Sequence, residues 1–180
     1  MNYATIKKFD IANGPGVRVS LFVSGCRHKC KNCFNSEAWD FNYGKPFTKE
    51  VADEILKALE PQYIEGFSLL GGEPFEPENQ EALADFLSAL KEKMPQKSVW
   101  CYTGFMFDRQ LLEGSVGNKQ TVMKMLENID VLVDGKFVEE LKSPDLLFRG
   151  SSNQRIIDVK KSLEQNETVW LEGVWQRKMG

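Results

Sequence analysis

The sequence predicts an α/β protein, an incomplete, open (β/α) barrel whose strands run mostly parallel. Three observations predict it. Short apolar runs that read as strands alternate with helical patterns from Val17 to Val133, the signature of a parallel sheet with right-handed crossovers. The chain has 180 residues, whereas a closed eight-fold barrel takes about 250, so about five or six strands without closure are expected. Finally, the residues least suited to a core fall just after predicted strands, on the edge where such folds carry their ligands.

Taken in order, residues 6–11 form a short strand, and Asn13-Gly14-Pro15-Gly16 a tight turn. Residues 17–23 alternate and then become wholly apolar, as a strand does on entering a core. A cysteine-bearing loop leaves the end of that strand. Thr48 caps a helix that runs to about Glu60, with Val51, Ile55, Leu56 and Leu59 on one face and Pro61 beyond it. A strand at 67–70 ends in Gly71-Gly72-Glu73-Pro74. A helix over 78–93 follows, with Leu83, Phe86, Leu87 and Leu90 as its stripe. The strand at 98–102 ends at Thr103-Gly104. Short helical patterns cover 107–113 and 121–128, and a strand at 130–133 ends at Asp134-Gly135-Lys136-Phe137. The remainder holds a loop at 146–154, a strand at 155–159 and an aromatic-bearing end with Trp170 and Trp175. With no linker, repeat or low-complexity run, one domain over residues 1–180 is expected.

Composition excludes several classes. A hydrophobic share of 42% with 27% charged residues suits a water-soluble globular chain. A net charge of −3 supplies no general basic field for nucleic acid. No apolar run approaches the roughly 18 residues of a membrane span, and residues 1–8 lack the apolar core of a secretory signal. The expected location is the cytoplasm, where clustered cysteines point to metal or redox chemistry over disulfides.

Three of the four cysteines and the only histidine lie in Gly25-Cys26-Arg27-His28-Lys29-Cys30-Lys31-Asn32-Cys33-Phe34-Asn35. Spacing C-x3-C-x2-C lets three sulfurs face one small volume. A 4Fe–4S cluster held by three cysteines keeps one iron open to a small molecule, whereas structural zinc and ferredoxin-type clusters take four protein ligands. A crowded Cys3His zinc site with His28, or a disulfide between neighbours, remains open at this level. Arg27, Lys29 and Lys31 would favour thiolates and help balance an anionic cluster. Cys101, inside an apolar strand, reads as a buried core thiol.

The C-x3-C-x2-C loop resembles that of the radical S-adenosylmethionine superfamily. The run from Asn13-Gly14-Pro15-Gly16-Val17-Arg18 through Cys33-Phe34-Asn35 and Trp39 is similar to the glycyl-radical-enzyme activases, and most of all to those serving anaerobic (class III) ribonucleotide reductase. Many superfamily members carry an aromatic just before the last cysteine. Here Asn32 stands there and Phe34 follows the cysteine, a pattern that fits the reductase activases.

The resemblance implies a small radical S-adenosylmethionine fold in which Cys26, Cys30 and Cys33 hold one 4Fe–4S cluster whose open iron binds S-adenosyl-L-methionine. It implies that residues 71–74, with Gly71, Gly72 and Glu73, hold the methionine amino group. Asp134 and Lys136 match positions that contact the ribose and the methionine carboxylate, and Thr103 a position of the same kind. His28 lies beside the cluster without ligating it, and residues 148–155 match a tail motif that covers the cofactor or meets the partner. The implied partners are the glycyl radical loop of anaerobic ribonucleotide reductase and a low-potential electron donor such as flavodoxin, with no nucleic acid and no membrane. Alternatives are an activase of pyruvate formate-lyase, a zinc-stabilised binding module and an electron carrier with a four-ligand cluster.

Overall fold

The computed structural model describes residues 1–173; Trp175, expected in the aromatic-bearing end, lies outside them. The strands are β1 (Asn2–Asp10), β2 (Val17–Val23), β3 (Lys45–Pro46), β4 (Ile64–Gly71), β5 (Ser98–Tyr102), β6 (Val131–Asp134) and β7 (Arg155–Asp158). The helices are α1 (Lys49–Leu59), α2 (Pro77–Lys93), α3 (Lys119–Glu127) and α4 (Val159–Gln165). All seven strands join one open sheet in the order β3-β1-β2-β4-β5-β6-β7.

The expected parallel core is present: β2, β4, β5 and β6 are neighbours and run parallel. The sheet is nonetheless mixed, because β1 is antiparallel to both β2 and β3, and β7 is antiparallel to β6. Connection length explains both differences. The short turn after β1 cannot carry the chain back to the starting end, so β1 and β2 form a hairpin. Between β6 and β7 no crossover helix intervenes, and the chain re-enters the sheet from the end at which it left.

Strand β1 begins four residues earlier than its apolar pattern suggests, and Ile11 lies beyond it, 75% exposed. Helix α1 starts as expected, with Thr48 Oγ1 accepting from Val51 N at 3.4 Å. The pattern at 107–113 is a π-helical turn, Phe107–Leu111, whose first amide donates to Asp134 at 2.7 Å. Helix α4 is too short and too poor in apolar residues to stand out in the sequence. Asp158 caps it by accepting from Lys161 N, and it ends at Asn166 in the left-handed conformation, φ 53°.

The sheet's two faces differ. Val99 and Cys101 of β5 and Leu132 of β6 point into the main core, where the helices contribute Ile55, Leu59, Leu83, Leu87, Leu90, Val122 and Leu126. Each such side chain, fully buried, stabilises by about 1.5–3 kcal/mol. Trp100, Val131 and Val133 alternate to the other face, with Tyr102 and Phe148 packed against them. That face carries Arg18, wholly buried, whose guanidinium donates to Ser68 Oγ, Ser98 Oγ and the carbonyls of Pro15, Phe67 and Ser98. Its five N–H groups are thereby spent on β4, β5 and the turn before β2. Burial lowers its pKa to about 10, offset by Tyr102 and more distant carboxylates.

Candidate functional site

Where β2, β4, β5 and β6 end, a cavity of about 430 Å³ opens between the cysteine loop and the rim of the sheet. Cys26, Cys30 and Cys33 border it together with Gly71, Gly72, Glu73, Thr103, Gly104 and Gly135. Four segments remote in sequence therefore meet at the edge that their position after strands suggested.

The loop is bolted to the sheet at its start. Gly25 N donates to Ala38 O at 2.8 Å, Cys26 N to Trp39 O at 3.1 Å and Glu73 N to Gly25 O at 2.8 Å. Two glycines permit this approach. Gly71 has φ +112° and abuts the Val23 backbone, and a Cβ on Gly72 would lie 2.6 Å from Gly25 O. Arg27 reinforces the joint. Its amide and guanidinium donate to Glu76, which is 2% exposed; the guanidinium also pairs with Glu78 and lies over the Phe41 ring. Further along, Lys29 and Asn32 take φ 48° and 55°, the turns that carry the chain around the cavity.

All four thiols are free. Burial pushes Cys26 up to about 11, with the backbone of His28 and Lys29 pulling the other way. Burial also raises Cys30, against the Phe137 backbone and the nearby Lys136 charge. Polar backbone and positive charge near sulfur favour thiolates. Among the described residues no three His, Cys, Asp or Glu side chains are gathered tightly enough for a single metal ion. His28 borders the same cavity but is engaged by Glu73, with Nε2 2.8 Å from Glu73 Oε2. Cys101 lies in the main core, fully buried. Three sulfurs on one cavity and an imidazole engaged by Glu73 fit a three-cysteine cluster better than a four-ligand zinc ion.

The remaining predicted residues are unevenly placed. Glu73 borders the cavity, but its carboxylate accepts from Phe75 N (2.9 Å), Thr103 Oγ1 (2.8 Å), Gly104 N (2.8 Å) and His28. Thr103 is spent on that bond. Asp134 is buried below the rim, where it accepts from Phe107 N and Arg155, and Arg155 also pairs with Asp108. Lys136 is exposed and close enough to Cys30 to favour its thiolate. The segment at 148–155 folds over the cavity's side, with Gln154 Nε2 donating to Gly135 O and Asn153 Nδ2 to Lys136 O. Sequence reasoning missed the joints between Arg27 and Glu76, between His28 and Glu73, and between Asp134 and Arg155. Each links residues far apart in the chain without a local signal.

Comparison with known proteins bears on this geometry. Residues 12–157 match the family model described as a 4Fe-4S single cluster domain, which defines the class to which the fold and its three thiols correspond. Over 156 residues the chain is 42% identical to the anaerobic ribonucleoside-triphosphate reductase-activating protein of Escherichia coli (strain K12), covering 86% of this chain and 96% of the relative. Identity is 40% to the proteins of the same name from Enterobacteria phage T4, covering 87% and 93%, and from Haemophilus influenzae, covering 87% and 97%. The chain belongs to the family of anaerobic ribonucleoside-triphosphate reductase-activating proteins.

Proposed function

We propose that this chain activates anaerobic ribonucleoside-triphosphate reductase, as a radical S-adenosylmethionine enzyme whose sheet is an incomplete (β/α) barrel and whose residues 1–180 act as one domain. The observation that carries the reading is the meeting of Cys26, Cys30 and Cys33 on one cavity at the strand ends, beside Gly71, Gly72 and Gly135. These three thiols would hold the 4Fe–4S cluster. When bound, the cluster would supply the electron for cleaving S-adenosyl-L-methionine to methionine and a 5′-deoxyadenosyl radical, which would take hydrogen from a glycine of the reductase.

The chain's own residues do the rest. Gly71 and Gly72 bring bare backbone to the cavity, where carbonyls can accept from the methionine amino group. Glu73 and Thr103 hold that wall in place. Lys136 offers a charge to the methionine carboxylate, and Asp134, fixed by Arg155, sets the bend that carries Gly135 into the lining. Residues 148–154 close one side and limit water. Among the described residues no helix is long and apolar enough to cross a membrane. The setting proposed is the cytoplasm, where a flavodoxin-like donor would deliver electrons.

The test is anaerobic reconstitution with iron and sulfide, then dithionite and S-adenosylmethionine, with 5′-deoxyadenosine measured. Electron paramagnetic resonance of the partner reductase then reports a glycyl doublet. Ala at Cys26, Cys30 or Cys33 abolishes both products. Stoichiometric zinc without broad absorption near 400 nm (roughly the iron–sulfur charge-transfer region) would refute the reading.

A further inference from the structure

The thiol loop carries one side chain that is packed as if it belonged to the core. His28 is 8% exposed, although Arg27 and Lys29 on either side are exposed. Its ring meets Phe105 edge-on at 4.4 Å. It also lies against Gly104, where a Cβ would come within 2.5 and 2.6 Å of ring atoms, so the absence of a side chain at Gly104 makes the seat. Nε2 is 2.8 Å from Glu73 Oε2. A carboxylate oxygen only accepts, so the proton lies on Nε2.

The same carboxylate takes Gly104 N on Oε2 and Thr103 Oγ1 and Phe75 N on Oε1. Four donors fill its principal acceptor directions, which leaves Glu73 without capacity for a ligand ammonium group. Glu73 is therefore the joint at which three rim segments meet: the thiol loop through His28, the residue 71–75 turn through Phe75, and the end of β5 through Thr103 and Gly104.

We propose that His28 is a positioning residue: by hydrogen-bonding Glu73 from its seat on Gly104 and Phe105, it fixes the thiol loop against the backbone wall that receives the methionine end of the cofactor. This rests on the reading of the cavity given above. Partners that orient a metal site's surroundings typically govern affinity by about 10- to 100-fold, and His28 is expected to act on that scale.

The test uses the full chain reconstituted anaerobically, as wild type, His28→Ala, His28→Gln and Thr103→Val. Iron and sulfide per chain, the dissociation constant for S-adenosylmethionine by equilibrium binding, and KM and kcat for 5′-deoxyadenosine formation are measured. Expected is an unchanged iron content in all four. His28→Ala weakens binding and raises KM about 10- to 100-fold with kcat little altered, and His28→Gln, whose amide can still donate to Glu73, recovers most of the loss. Thr103→Val, which removes a second donor from the same carboxylate and the acceptor of Phe105 N next to the His28 ring, weakens binding in the same direction and serves if His28→Ala fails to fold. Unchanged binding in either His28→Ala or Thr103→Val overturns the inference, as does His28→Gln being no better than His28→Ala. Loss of iron in both His28 variants overturns it too, by making the imidazole a ligand. A wild type that holds its cluster but binds no S-adenosylmethionine refutes the reading of the cavity and this inference together; a wild type that binds it no more tightly than His28→Ala refutes this inference alone.

Discussion

Replacing Gly72 by Ala tests whether the thiol loop and the residue 71–74 turn form one rigid joint. The added Cβ would sit 2.6 Å from Gly25 O, 2.9 Å from Ala38 O and 3.0 Å from Gly25 C, all backbone atoms. An ordinary contact begins at 3.4 Å, so Gly25 O must retreat by about 0.8 Å to restore normal packing. That retreat strains the Glu73 N–Gly25 O and Gly25 N–Ala38 O bonds, both 2.8 Å, and carries Cys26 with it. Overpacking of this kind costs about 1–3 kcal/mol, which for a chain of this size lowers the melting temperature by roughly 2–12 °C. A displacement approaching 1 Å at a reacting centre costs on the order of 100-fold in rate. Calorimetry of the metal-free protein and 5′-deoxyadenosine formation after reconstitution measure the two effects. Gly114→Ala is the control: its φ of +78° makes it strained too, but the atoms nearest its Cβ all belong to the flexible Lys119 side chain, away from the cavity, so it should lose stability without losing rate. If Gly72→Ala matches wild type in both assays, the loop is not braced on this turn and the account of the site is wrong.

Cys101→Ala should keep full iron content and cofactor cleavage and lose only about 1 kcal/mol of stability, because the thiol lies in the main core; loss of iron would make it a ligand. Arg18→Met strips the donors from five contacts, two buried and three part-buried, and should cost at least about 3 kcal/mol in urea unfolding, since each stranded buried polar group costs about 1–3; a loss below about 1 kcal/mol would show that the network is not structural. Burial pushes Asp130 up, but hydrogen bonds from Lys160, Lys91 and Val99 N outweigh it and hold the carboxylate below its ordinary range. A carboxyl depressed in the fold stabilises fully above its unfolded pKa of about 3.9 and loses that contribution as pH falls through the folded value. The stability gap between wild type and Asp130→Asn should therefore be constant near neutrality and close as pH falls below the ordinary carboxylate range; a gap that persists in acid unfolding below that range would contradict the assignment.

Much of the site was legible because it is local. Cys26, Cys30 and Cys33 lie within eight residues, and the strands on either side of the rim announce themselves through runs such as residues 67–70 and 131–133. Topology was half legible. Helices between β4, β5 and β6 forced the parallel order, but the direction of β1 and β7 depends on connections whose return path has no periodicity. The Glu73 carboxylate shows the limit best. Its motif marks it as important, yet whether it faces a ligand or is consumed by Thr103, Gly104 and His28 depends on residues 30 and 45 positions away. Asp134 is alike: its neighbours in sequence suggest a rim residue, and only the fold brings Arg155 onto it.

The open sheet leaves β1 with a free side. Strand β3 pairs with it only at Asn2 and Tyr3, so among the described residues most of β1 has no paired strand on that flank. Two irregularities, between Tyr3 and Thr5 and between Lys7 and Asp10, interrupt its register with β2, and Lys7 and Lys8 are exposed on it. A kinked border studded with ammonium groups is a poor template for a foreign strand. The chain can thus leave its sheet open without inviting copies of itself to zip together along the seam.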